Sequence, residues 1–131
     1  MPDPQVVLPP GWKRPRGWSH GILSDGQLHV AGQFGWDPGK HEFAAVGFGG
    51  QWRRALENFL EVVAAAGGKA ENVTSLRIYV TDLGIYRDSA AQVADGWRAT
   101  FGSHFPAITM LRVTELAEPQ AIVEIEGTAT L

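Results

Sequence analysis

Six apolar residues, Trp52, Ala55, Leu56, Phe59, Leu60 and Val63, recur at the i, i+3, i+4, i+7, i+8, i+11 spacing of one buried helical stripe. Arg53, Arg54, Glu57 and Glu61 fall on the other side, and Gly67-Gly68 stops the segment. A helix with one apolar stripe must lay it against something, and the flanking segments offer a sheet. Before it, "GWSHGILSDGQLHVAGQ" reads as a hairpin turning at Ser24-Asp25-Gly26, and "FGWDPGKHEF" as a loop. After it, "VTSLRIYVTD" alternates Leu76, Ile78 and Val80 against Arg77 and Tyr79. A second helix runs on Tyr86, Ala90, Val93, Ala94, Trp97 and Phe101, with Gly102 and Pro106 at its exit. "AITMLRV" is a strand with Ile108, Met110 and Arg112 on one face and Thr109, Leu111 and Val113 on the other. "AIVEIEGTATL" is the last strand. The alternation predicts an α+β domain: one mixed sheet with two helices packed on one face.

The chain of 131 residues is expected to form a single domain over 1–131, with 1–17 as an extended, proline-rich lead-in. Such a length buries roughly two thirds of its unfolded surface and needs no covalent staples. There are no cysteines, which excludes disulfides, zinc-thiolate sites and thiol nucleophiles. Prolines interrupt the start where a signal peptide would be apolar, and no segment approaches a membrane span, so a cytoplasmic protein without membrane partners is the expectation. A net charge of −3 gives no electrostatic reason to expect nucleic acid. Lys13, Arg14 and Arg16 lie between prolines and read as a solvated lead-in.

The last strand poses the chemical question. Val123 and Ile125 point one way, and Ile122, Glu124 and Glu126 point the other. Two helices cover only one face, so the second is expected to carry Ile108, Met110 and Ile122 beside Glu124, Glu126 and Arg112. An apolar sheet face with charges on it suits an interface between subunits.

"HVAGQ", "ALENFLEVVAAAGG", "VTSLRIYVTDL", "FPA" before a strand, and "VEIEGTA" occur in the order and spacing of the RidA family, also called the YjgF or L-PSP family, which this chain resembles over almost its whole length. The resemblance implies a chorismate-mutase-like fold and a homotrimer with three clefts between subunits. It implies hydrolysis of enamines and imines to carbonyl compounds plus ammonia, without metal or organic cofactor. The family's water-holding glutamate matches Glu124, and its backbone-lining small residue and glycine match Ala31 and Gly32. Its aromatic cleft residue matches Trp18. After "PA", deaminating members have an arginine that grips the substrate carboxylate; here the residue is Ile108.

Losing such a contact costs about 2–5 kcal/mol, or roughly 30-fold to several-thousand-fold in affinity. Arg112 is on the same strand face but about 13 Å further along, too far to substitute without a different substrate pose. With Ile108, Met110, Trp18 and Trp97, the expected cleft is apolar and aromatic, suited to a substrate with no carboxylate at that end. Glu124 has a structural alternative, pairing with Arg112, and Glu126 is expected to pair structurally. Arg77 reads as a solvated or salt-bridged strand residue. His20, His29, His41 and His104 lack metal-ligand spacing and read as surface or loop residues. "AGQFG" lacks the strand–GxGxxG–helix context of a dinucleotide site. The alternative function is a non-catalytic trimer binding a small metabolite or partner in the same clefts. A ribonuclease fits poorly, because the aromatics are not interleaved with basic residues.

Overall fold

The structure, a computed structural model, describes residues 3–44 and 47–131. The strands are β1 (Gln5–Val7), β2 (Gly21–Ser24), β3 (Gln27–Phe34), β4 (Val73–Val80), β5 (Ala107–Arg112) and β6 (Val123–Thr130). The helices are α1 (Gly47–Ala65), α2 (Leu83–Asp88) and α3 (Ala90–Thr100), with a single 3₁₀ turn at Ala70–Asn72. The strands form one sheet in the order β1-β2-β3-β6-β4-β5. Only β4 and β5 run parallel, and α2 and α3 make the crossover between them. This is the mixed sheet with helices on one face that the alternation predicts.

The helix side holds the main core. Leu28, Leu76, Ile78, Val80, Val123 and Ile125 of the sheet meet Ala55, Leu56, Phe59, Val62 and Val63 of α1, each at most 1% exposed. Burial on this scale is worth about 1.5–3 kcal/mol for each large side chain. Glycine lets α1 come this close: a Cβ at Gly35 would lie 2.5 Å from the Gln51 backbone, and one at Gly21 would lie 2.7 Å from Val62 Cγ1. The β2–β3 hairpin closes through Asp25 and Gly26, both at positive φ (53° and 77°), as a two-residue turn between twisted strands requires.

Three expectations change. The lead-in is not merely extended, because Gln5–Val7 pairs with Gly21–Leu23 and becomes the edge strand. The second helix is two helices. Asp82 caps α2 by accepting from Ile85 N–H, and Ser89 ends it by returning its hydroxyl to Ile85 O at 2.7 Å. The third change concerns faces. Ile108, Met110 and Arg112 pair with Leu76, Ile78 and Val80, so they share the helix side and not the side of Glu124. Both faces of "AITMLRV" are apolar enough to enter a core, and the parallel register makes a choice that periodicity leaves open. Ile122 also leaves the open face, packing against the core just before β6.

The open face is therefore more polar than expected. It carries Arg77, Tyr79, Thr109, Leu111, Glu124, Glu126 and Thr128. At its end Phe34, Trp36 and Ala121 form a small second core.

Gln51 ties α1 to the start of β6. It is 6% exposed, accepts from Ile122 N–H at 3.0 Å and donates to Gln120 O at 2.9 Å. Gln51→Leu keeps the apolar packing but strands both backbone groups, and is expected to cost about 1–3 kcal/mol in urea unfolding.

Candidate functional site

Between β3 and β6 the ladder slips. Val30 pairs with Gly127 and Gln33 with Ile125, so Ala31 and Gly32 together oppose Glu126 alone. This is a β-bulge, a device that bends a strand and re-aims the groups beside it. Ala31 N–H donates to His20 O at 2.8 Å. Gln33 Nε2 donates to Ala31 O and lies 3.1 Å from His20 Nδ1. If Gln33 spends its second N–H on Nδ1, the neutral His20 ring carries its proton on Nε2.

His20 and Gln33 are each 1% exposed, so of the expected surface or loop placement His20 keeps the loop, just before β2, but is buried in it. Trp12 and Trp18 meet its ring edge-on, at centroid distances of 4.7 and 4.6 Å. This enclosure lowers the His20 pKa to about 4, through burial first and then the nearby His41. His41 and His104 lie in loops, as expected, and are engaged there: His41 stacks on Trp36, and His104 Nε2 lies 2.8 Å from Val73 O.

Glu124 lies over the bulge. A Cβ at Gly32 would fall 2.1 Å from Glu124 Oε2, so this carboxylate and any other residue at 32 would compete for one space. Phe34 and Tyr79 are its registered neighbours on either side. Glu124 is half-buried, and its pKa is raised by burial first and then by Glu126. Glu126 itself is engaged, accepting from Arg77 Nε at 2.5 Å, which fulfils the structural pairing expected of it and of Arg77. The Tyr79 hydroxyl also titrates high, because of burial and then Glu126. A half-buried carboxylate with a raised pKa and, among the described residues, no ion pair holds a proton more readily than a solvated one and can take and return it. Among the described residues, no group of three His, Asp or Glu side chains could hold a metal.

The structure brings Glu124, Ala31 and Gly32 together, and links Trp18 to the bulge through His20. It does not bring Ile108, Met110 or Arg112 to Glu124 within one chain. Pairing of Arg112 with Glu124 is ruled out by the same register, since the two side chains leave opposite faces. Tyr79 and the His20–Gln33 pair were missed in the sequence. Tyr79 was legible only as the polar face of a strand, and the bulge that recruits Gln33 has no sequence period.

A six-stranded mixed sheet with helices on one side, and a carboxylate over a glycine bulge on the other, defines an α+β scaffold with a candidate site on its open face. Residues 13–131 match the endoribonuclease L-PSP family, and the chain belongs to that family, which is the RidA/YjgF family. It is 29% identical over 112 residues to the human 2-iminobutanoate/2-iminopropanoate deaminase, covering 86% of this chain and 78% of that protein. RidA from the Antarctic bacterium Psychrobacter superposes with a TM-score of 0.82 at 25% identity, covering 97% of this chain and 99% of that one. The YjgF gene product of E. coli gives 0.81 at 25% identity, covering 96% and 98%.

Glu124 and His20 give opposite pH slopes. Glu124 titrates above its unfolded value of 4.5, so between the two values the folded state binds more protons and stability falls as pH rises. Glu124→Gln is therefore expected to melt higher than the wild type at pH 7 and to lose that advantage near pH 4. His20 titrates at about 4 against 6.5 unfolded, so its stability is present above 6.5 and lost as pH falls towards 4. His20→Asn should flatten that acid-side slope in melts taken across the range.

Proposed function

We propose that this protein hydrolyses small imines and enamines to carbonyl compounds and ammonia. The observation that carries the reading is Glu124: a half-buried carboxylate with a raised pKa, with no ion pair among the described residues, set against the Gly32 bulge. The curated relative named as an imine deaminase supports the reaction class. Glu124 would hold a water and take one of its protons as the oxygen adds to the imine carbon. Glu124 passes that proton to the imine nitrogen, giving a neutral carbinolamine. Glu124 then takes the hydroxyl proton as C=O forms and the C–N bond breaks, and returns it to the leaving nitrogen, which departs as ammonia. The reaction so written uses water and one carboxylate.

The substrate we favour has no carboxylate at the end that meets Ile108, an aliphatic side chain where deaminating relatives resembled by this chain carry arginine. Because β5 turns Ile108, Met110 and Arg112 toward the helices, a cleft that joins them to Glu124 takes the two sets from different copies of the chain. We therefore propose a homotrimer with small-molecule clefts between subunits, with Trp18, Ala31 and Gly32 lining the Glu124 side. Neither nucleic acid nor membrane is a partner in this reading.

The test is ammonia release from two freshly generated imine sets, one bearing a carboxylate and one lacking it. The wild type is expected to turn over the second set, and Glu124→Gln to lose about 10²–10⁴-fold. Ile108→Arg should gain the carboxylate-bearing set by roughly 30-fold or more. Absence of turnover by all three proteins would sink the enzyme reading in favour of a binding protein. Light scattering reads the oligomer separately, and a monomer would remove the shared cleft.

A further inference from the structure

The cationic segment that reads as a solvated lead-in has a fixed backbone. Trp12 packs against the main core and donates its indole N–H to Glu61 of α1 at 3.0 Å, and Lys13 N–H donates to Pro38 O at 3.1 Å. A few residues on, Trp18 meets the buried His20. Between these anchors Lys13, Arg14 and Arg16 line one cavity of about 400 Å³, together with Trp18, Trp36 and His41. Among the described residues, Glu118 is the one carboxylate lining it, and none of the three cations is in an ion pair. In a chain of net charge −3, three unpaired cations around one cavity form a local field that attracts an anion.

The cavity adjoins the Glu124 site along two chains of contact. Phe34, the cross-strand partner of Glu124, meets Trp36 at 5.1 Å, and His41 stacks on Trp36 at 4.3 Å and 3°. On the other side Trp18 meets His20, whose carbonyl oxygen accepts the Ala31 N–H of the bulge. Trp18 is 45% exposed, which leaves an indole surface on which a flat ring can lie.

We infer that this cavity takes the far end of the substrate: an anionic group, carboxylate or phosphate, on a flat apolar body whose imine end reaches Glu124. The inference rests on the Glu124 reading and names the substrate class within it. The negative charge is placed away from the end that meets Ile108, so the two assignments agree. The volume falls within the ~300–1,000 Å³ of ligand pockets, and an aromatic lining with a few placed charges is a composition that fixes a ligand's orientation. A backbone pinned at Trp12 and Lys13 presents the cations with less loss of freedom than a solvated tail would.

The experiment titrates the intact protein with 2-naphthoate, 2-naphthyl phosphate and the neutral 2-naphthamide, by calorimetry and tryptophan fluorescence. The two anions are expected to bind about 5- to 50-fold more tightly than the amide, the worth of two or three partly exposed charge contacts, with the margin shrinking in high salt. The triple variant Lys13→Gln, Arg14→Gln, Arg16→Gln should erase the margin. Its three side chains are exposed, and a thermal melt confirms that it folds. Glu124→Gln should bind the anions at least as tightly as the wild type. In turnover, the freshly generated imine of 6-formyl-2-naphthoate should exceed that of 2-naphthaldehyde by a similar factor in kcat/KM, a ratio that the triple variant loses. A cation-dependent margin in binding without turnover of either imine sinks the Glu124 reading and leaves the anion site standing. Turnover of both imines with no margin in binding overturns the inference and leaves Glu124 its role. A margin in binding that is absent from turnover overturns the claim that the cavity holds the substrate. Tighter binding of a short single-stranded RNA than of 2-naphthyl phosphate, lost in the triple variant, overturns it in favour of a nucleic-acid surface.

Discussion

The one-residue mismatch between β3 and β6 organises this molecule. Two residues on β3 face one on β6, so the strand must bend, and the bend is where the backbone and the Glu124 carboxylate come together. A regular ladder would place a side chain at 32 in line with its neighbours and deny Glu124 its position. The bulge is held from beneath by Gln33, which spends its amide on Ala31 O and on His20, and from the end by Ala31 N–H on His20 O. Every one of these bonds is internal, so the site is pre-formed before any ligand arrives.

That scaffold lowers its own stability to keep the site. His20 sits buried and neutral with Nε2 unpartnered, Gln33 Oε1 has no donor, and Glu124 is held where its charged form is disfavoured. An all-apolar β3–β6 junction would be the more stable choice. The large α1–sheet core tolerates the deficit, because its burial outweighs a few kcal/mol of unmet polarity. Strength and chemistry are thus segregated across the sheet: close packing on the helix side, ionisable groups on the other.

The segregation explains what was legible in the sequence. The α1 stripe, the β4 alternation and the Asp25-Gly26 turn each follow from a local period or a local φ requirement, and each forms as read. Glu124 and Glu126 were separable from Val123 and Ile125 by strand parity alone. Parity failed at β5, where Ile108 and Met110 compete with Leu111 and Val113 for the core on nearly equal terms. There the choice comes from the parallel pairing to Leu76 and Ile78, a contact across some thirty residues of chain. The bulge, the burial of His20 and the recruitment of Gln33 are likewise products of pairing between distant strands, and no window of sequence contains them.

The turn of β5 has a consequence for any chemistry at Glu124. A carboxylate on one face and an aliphatic side chain on the other cannot converge on one small molecule through a sheet that is hydrogen-bonded between them. Either the substrate meets only the open face, with Tyr79, Phe34 and Trp18 as its surroundings, or a second copy brings its own β5 to the first copy's Glu124. The exposure of β5 favours the second arrangement. Five of its six residues are exposed and its outer edge has no strand beside it, so the same segment that carries Ile108 is the one left without a partner. An unpaired edge with apolar side chains is a surface that proteins ordinarily cover. Covering it with another copy would complete the site and protect the edge in a single contact.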